Sequence, residues 1–392
     1  MNNLPRHIFY ILLMLAFLAI TSFNPIPHMS FTRHPTDPAF LDSSSAWVDS
    51  VLNSLSLEEK ISQMIMVAAY SNREPAHEEE IIHLIKKHKV GGIVFFQGGP
   101  VKQAMMTNHF QSISETPLLV AIDAEWGLGM RLDSTISYPR QMMLGAIQDN
   151  DLIYQMGKDI ALQLKRIGVH INFAPVIDIN NNPRNPVINS RSFGQIKDNV
   201  ILKGIAYMQG MQDKGLLCTA KHFPGHGDTE SDSHYTLPFI PYTLDRLETV
   251  ELQPFKECIL NGLSGMMVAH LFIPSLDSTP GRASSLSQNV VTNLLQNELG
   301  FKGLIFTDAL NMKAVSELNE PGEMEVLAIQ AGVDVILMPP DPAKAIQAIR
   351  REVRKGTISE DEINRRCKKI LAAKKWAGLD HYKPAEISGI YE

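Results

Sequence analysis

Short apolar runs recur along this chain, each closed by Gly, Pro, Asn or Asp, and the segments between them place apolar residues at helical spacing. The runs at 64–70, 92–96, 118–123, 171–179, 216–222, 265–270, 304–308 and 333–338 predict eight strands. Helices are predicted between them at 77–87, 102–114, 150–166, 198–212, 244–261, 287–299 and 320–331, with two more at 342–355 and 359–375. Strands that are apolar almost throughout, alternating with amphipathic helices, imply a parallel sheet covered by helices. Eight such units predict an α/β fold, a (β/α)8 TIM-type barrel forming a single catalytic domain over residues 45–378, with a short tail at 379–392. An open doubly wound sheet is the rival, but no Gly-rich dinucleotide fingerprint follows the first strand.

The barrel reading sorts the polar residues by position. Asp123, Asp178, Lys221, His222, His270 and Asp308 each stand at or just past a predicted strand end. In a parallel barrel those ends share one rim, where catalytic groups gather. The fifth strand runs into Lys221-His-Phe-Pro-Gly-His-Gly-Asp-Thr-Glu-Ser-Asp-Ser-His234, a loop dense in reactive side chains. Its two glycines flank His226, which predicts a tight turn or a close backbone approach.

Composition narrows the class. A net charge of -6 shows no basic surplus and argues against nucleic acid as a partner. The 3 cysteines are odd in number and far apart, which is no disulfide framework. At the N-terminus, Arg6 and His7 precede an apolar run over 8–23 that ends in Asn24, Pro25 and Pro27. That pattern over residues 1–30 reads as an export signal peptide, giving a periplasmic or extracellular protein. An uncleaved anchor is the alternative, and it would be the chain's one membrane contact.

Several chemistries compete for the rim. His222, His226, Asp228, Asp232 and His234 could ligate a metal, but their spacing matches no defined ligand motif, and no metal or other cofactor is expected. A serine hydrolase lacks its Gly-x-Ser-x-Gly elbow. Glycoside hydrolysis needs a carboxylate on one side of the scissile bond and a proton donor on the other. Asp308 suits the first role, although taken alone it also suits a cap for the next helix. His234, with Asp232 two residues back, is the candidate donor. An imidazole donates near neutral pH, where an ordinary carboxylic acid has already lost its proton.

The motifs Ile122-Asp-Ala-Glu-Trp-Gly127, Asn172-Phe-Ala-Pro-Val-Ile-Asp178, Ser190-Arg-Ser-Phe-Gly194, Lys221-His-Phe-Pro-Gly-His-Gly227, Asp232-Ser-His234 and Phe306-Thr-Asp308 together resemble glycoside hydrolase family 3. The Asp-Ser-His element is similar to that of its β-N-acetylhexosaminidase branch, where a loop His–Asp dyad replaces a glutamate acid/base carried on a second domain. The resemblance spans roughly residues 47–375. It implies Asp308 as nucleophile, His234 as acid/base and Asp232 as its partner. It implies Asp123, Arg131, Arg191, Lys221 and His222 as sugar-binding groups. It further implies a retaining exo-β-N-acetylhexosaminidase that acts on oligosaccharides or muropeptides. A β-glucosidase, a glycoside phosphorylase or a non-catalytic sugar-binding barrel is the alternative. Read without the resemblance, Arg131 also fits a solvated charge near Asp133, Arg191 a brace for its own loop, and Lys221 a partner for a neighbouring acid. Trp126 stands where the family often has glycine, and is expected to narrow the pocket or add a stacking face.

Overall fold

The structure is a computed structural model that describes residues 37–42 and 45–391. The export segment expected over residues 1–30 lies outside the described residues. Among those described, no helix is long and apolar enough to cross a membrane.

Eight parallel strands follow one another around a barrel: β1 (Ile65–Ala69), β2 (Gly92–Phe95), β3 (Leu119–Ile122), β4 (Ile171–Asn172), β5 (Leu217–Phe223), β6 (Gly265–Val268), β7 (Leu304–Thr307) and β8 (Ile336–Leu337). From β1 to β7 each strand pairs in parallel with its sequence neighbours, and β8 pairs with β1. The seam between β7 and β8 is joined by the Phe306–Val335 bridge and by hydrogen bonds from Thr307 to Val335 and from Leu310 to Leu337. The architecture is the (β/α)8 barrel that the apolar runs predict. Helices cover its outside, which is why the strand residues are buried on both faces.

The differences from the sequence pattern have local causes. The apolar run at 171–179 gives a regular strand only at Ile171–Asn172, because Pro175 has no N–H to offer the ladder. The segment still tracks β5 through single bonds, Thr219 N–H to the Ala174 carbonyl and Ile177 N–H to that of Lys221. The helix expected at 244–261 is broken into Leu244–Arg246, a π-helical turn Leu247–Glu251 and Gln253–Leu260. Pro254 sits in the first turn of the last piece, where its missing N–H costs nothing. Two helices precede β1 that the strand-and-helix alternation does not announce, Ala46–Ser54 and Leu57–Ser62. The second opens with a capping box between Ser56 and Glu59.

Past the last long helix (Glu360–Trp376), the chain folds back along the barrel. The Asn108 side chain there receives hydrogen bonds from the Ala385 N–H and the Tyr382 hydroxyl, and donates one to the Ala385 carbonyl.

Candidate functional site

A cavity of about 430 Å3 opens at the C-terminal ends of the strands. Its charged floor begins at β3. The strand ends in Ile122, and Asp123 and Glu125 follow on alternate positions. The backbone here is clamped from the neighbouring strand: Ala124 N–H donates to the Asn172 side-chain oxygen at 2.9 Å, and the Asn172 amide returns a bond to the Ala124 carbonyl. The buried Tyr207 hydroxyl donates to the carbonyls of Ala124 and Glu125, each at 3.2 Å.

That clamp fixes two carboxylates among three cations. Asp123 accepts from Arg131 Nη2 at 2.9 Å and from Lys221 Nζ at 2.6 Å. Glu125, with 0% exposure, takes two parallel bonds from Arg191, at 2.9 and 2.6 Å, and lies 2.8 Å from Lys221 Nζ. Bidentate pairing of this kind sets orientation as well as charge. Burial opposes ionisation of both acids, but Lys221 and Arg131 outweigh it at Asp123, and Arg191 and Lys221 at Glu125, so both pKa values lie below the ordinary range.

The second group comes from β5. Its pairing with β6 shifts register between Ala220 and Phe223, an irregularity of the kind that re-aims side chains beside sites. Lys221 and His222, joined by a cis peptide, both line the cavity. His222 Nδ1 lies 2.7 Å from Asp178 Oδ2, and Asp178 also accepts the backbone N–H groups of His222 and His226 at 3.1 and 2.7 Å. Since a carboxylate only accepts, Nδ1 carries the ring proton, and Nε2 accepts from Arg191 Nη2 at 3.3 Å. Burial works against the Asp178 charge, but His222 and these donors lower its pKa.

Asp308 follows β7. Its Oδ1 accepts the Ala309 N–H at 2.8 Å, while the Ala309 carbonyl accepts from His270 Nε2 at 3.0 Å. His270 is fully buried and its Nδ1 meets the Ser285 hydroxyl at 2.7 Å, so the imidazole pins the turn that presents Asp308. The next helix starts only at Lys313 and is preceded by Met312, so Asp308 does not cap it. Burial opposes its charge, yet His270, His222, the Ala309 N–H and Lys221 together lower its pKa.

The loop after β5 carries Asp232 and His234. Asp232 Oδ1 accepts the His234 N–H at 2.8 Å and lies 2.6 Å from His234 Nδ1. The His234 side chain is 60% exposed and lines the cavity, whereas Asp232 does not. The loop turns tightly for a steric reason. A Cβ on Gly227 would stand 1.8 Å from the Ile179 carbonyl oxygen, and Gly225 has a φ of +129°.

Of the eight residues singled out from the sequence, Asp123, Arg131, Arg191, Lys221, His222, His234 and Asp308 line this one cavity, and Asp232 supports the sixth. The rest of the wall is mostly apolar and includes Tyr70, Phe96, Phe173, Met267 and Leu337, with His226, Ser233 and Asn311 as its polar members. Trp126 departs from expectation. Its ring is covered by the Arg140 guanidinium at 4.5 Å, and it is not among the residues lining the cavity, so it neither narrows it nor offers it a stacking face. Among the described residues, no group of three or more His, Cys, Asp or Glu side chains is arranged to hold a metal ion.

Residues 56–373 match the family described as the glycosyl hydrolase family 3 N terminal domain. The chain belongs to glycosyl hydrolase family 3. Among family relatives, it is 35% identical over 283 residues to "Beta-hexosaminidase A" of Pseudoalteromonas piscicida, covering 66% of this chain and 47% of that protein. Among solved structures, it superposes with a TM-score of 0.80 and 36% identity on a family 3 β-N-acetylglucosaminidase from Paenibacillus sp. str. FPU-7, over 86% of this chain and 65% of the other. A structure titled "Beta-glucoside phosphorylase BglX" also gives a TM-score of 0.80, at 25% identity over 86% of this chain and 61% of the other. The chain thus spans about half the length of the Pseudoalteromonas relative and under two thirds of these two structures.

The sequence marks Asp178 and His270 as strand-end residues and His226 as a loop residue without giving any of them a role in the site, and it gives none to Glu125. All four make contacts as short as those of the named candidates. Glu125 had a signal, since a carboxylate two positions after another at a strand end points toward the same side. The pairing of His226 with Ser233 had none, because only the fold of the loop brings them together.

The buried imidazoles predict how this family 3 barrel responds to acid. Burial holds His226 down to about 4 and His170 to about 3, each with help from a neighbouring cationic or imidazole group. Unfolded histidine binds its proton near 6.5. Between those values the unfolded chain takes up more protons than the folded one, so stability falls as pH falls. From pH 7 to pH 5 the loss is about 2 kcal/mol for each imidazole. The depressed carboxylates add their loss only below about pH 4, where the unfolded acids begin to protonate. Urea midpoints at the two pH values check this, with a lower midpoint at pH 5 expected and an equal or higher one contradicting it.

Proposed function

We propose that the protein is a retaining exo-β-N-acetylhexosaminidase that releases terminal β-linked N-acetylglucosamine. The carrying observation is that His234, with Nδ1 taken up by Asp232, lines the same cavity as the ionised, backbone-anchored Asp308. The names of the Pseudoalteromonas and Paenibacillus relatives support the choice of sugar.

In the mechanism, Asp308 attacks the anomeric carbon as the glycosidic bond breaks, and the His234 Nε2 proton moves to the departing oxygen. The product of this step is a glycosyl ester on Asp308. His234, now neutral, takes a proton from water as that water attacks the same carbon and frees Asp308. Asp232 holds the imidazole tautomer throughout. Asp123, Arg131, Arg191, Lys221 and His222 grip the sugar hydroxyls with charge-assisted bonds. The natural donor is a peptidoglycan fragment or a chitin oligomer outside the cytoplasm, reached by export through the N-terminal segment.

The experiment is parallel assay of p-nitrophenyl β-N-acetylglucosaminide and β-glucoside, with and without EDTA, in water and in phosphate. Preferential release from the N-acetyl substrate, unchanged by EDTA, is expected. Faster release from the glucoside contradicts the sugar assignment. Accumulation of a sugar 1-phosphate would favour phosphorolysis, the reading supported by the likeness to BglX.

A further inference from the structure

We propose that His226, acting through Ser233, is the positioning residue that presents the Asp232–His234 dyad to the cavity. The inference rests on the acid/base reading of His234 and adds to it the element that holds the dyad in place.

Ser233 stands between the two dyad residues, and its exposure is the reverse of theirs. It is 2% exposed, against side-chain values of 27% for Asp232 and 60% for His234. Its hydroxyl meets His226 Nε2 at 3.1 Å, and both residues reach the cavity wall beside His234. The segment is a turn, closed by the Tyr235 and Thr236 N–H groups on the Asp232 carbonyl at 3.0 and 3.1 Å, so a bond that fixes Ser233 within it fixes both its neighbours. Tying the Ser233 hydroxyl to His226 therefore anchors the turn on which the 2.6 Å contact between Asp232 and His234 forms.

His226 is itself immobilised from every direction. Its ring Nδ1 meets the Thr229 hydroxyl at 2.9 Å, its N–H donates to Asp178 at 2.7 Å, and its carbonyl accepts from Asn185 Nδ2 at 2.8 Å. Asp178 is also the partner of His222, so the dyad loop and the sugar-binding floor share one buried carboxylate. A neutral imidazole offers one donor and one acceptor, which two hydroxyls complete. Burial, with His222 adding to it, keeps the ring neutral down to about pH 4, so this arrangement persists across the working range. The far end of the loop is tied as well, since the Lys313 N–H lies 3.4 Å from the His234 carbonyl and links it to the segment after Asp308. Neither His226 nor Ser233 transfers a proton in this account. Their function is to set where His234 Nε2 stands relative to the glycosidic oxygen, and misplacement of a reacting group by about 1 Å costs roughly 100-fold in rate.

The test compares kcat/KM on phenyl and 2,4-dinitrophenyl β-N-acetylglucosaminides. A poor leaving group needs the acid and a good one does not, and the ratio of the two is independent of the fraction of folded protein. Ser233→Ala is expected to lower the phenyl to dinitrophenyl ratio by ~10-fold or more, as His234→Ala does more strongly. Ser233→Thr, which keeps the hydroxyl, retains the wild-type ratio, and Ser233→Ala added to His234→Ala lowers it no further. His226→Gln gives the same shift if Ser233→Ala yields no soluble protein. A shift in His234→Ala with an unchanged ratio in Ser233→Ala and His226→Gln overturns the positioning role alone. An unchanged ratio in His234→Ala overturns the acid/base reading, and the positioning role with it.

Discussion

Asp308→Ala is expected to lower turnover of an aryl β-N-acetylglucosaminide by roughly 10,000-fold or more, while leaving the protein folded. Loss of a covalent nucleophile removes a reaction path rather than a contact, and such losses are of this size. The fold survives because the backbone around Asp308 is held independently. Its N–H donates to the Val268 carbonyl at 2.9 Å, and the following turn is pinned by the His270 bond to Ala309. Only the carboxylate goes, opening space beside the anomeric carbon. Azide at high concentration is therefore expected to enter that space and restore part of the turnover, giving an inverted glycosyl azide. Turnover in Asp308→Ala close to that of the parent protein contradicts the assignment.

Glu125→Ala is expected to cost about 3–5 kcal/mol of stability and to lower kcat/KM by roughly 100-fold. The residue is fully buried and, unlike Lys221 and His222, does not line the cavity. What it holds is Arg191, through two bonds, and Lys221, through a third contact. Removing it leaves two cations facing a low-dielectric interior with Asp123 as the remaining carboxylate of the pair. Breaking a buried ion pair from one side is costly because the other charge stays behind. Arg191 also donates to His222 Nε2, so its displacement disturbs both halves of the floor. Glu125→Gln keeps the shape and one acceptor oxygen, and is expected to fall between the parent and Glu125→Ala. Urea denaturation and kcat/KM check both variants, and parental stability in Glu125→Ala contradicts the role.

The barrel was legible in the chain because parallel strands buried on both faces leave apolar runs that alternation with helices makes countable. The rim was legible for the same reason. Asp123, Lys221, His222 and Asp308 stand where strands end, and a parallel barrel brings those ends together whatever the loops do. Less visible was everything that depends on pairing across the rim. Nothing in the sequence joins Glu125 to Arg191, 66 positions on, or Asp178 to His222, 44 positions on. Trp126 shows the opposite failure. An aromatic beside a sugar-binding motif invites a stacking role, but the Arg140 side chain already covers its ring. The short β4 had a readable cause in Pro175, whereas the bulge that orients Lys221 and His222 had none.

The central claim is that Asp308 becomes covalently glycosylated during turnover. A 5-fluoro β-N-acetylglucosaminyl fluoride tests it directly, since the ring fluorine slows both steps and the good leaving group lets the first outrun the second. Mass spectrometry of the treated protein is expected to find one added fluorosugar, carried on the peptide containing Asp308 and lost slowly in buffer. An adduct on another residue, or steady release of the sugar with Asp308 never labelled, would contradict the account.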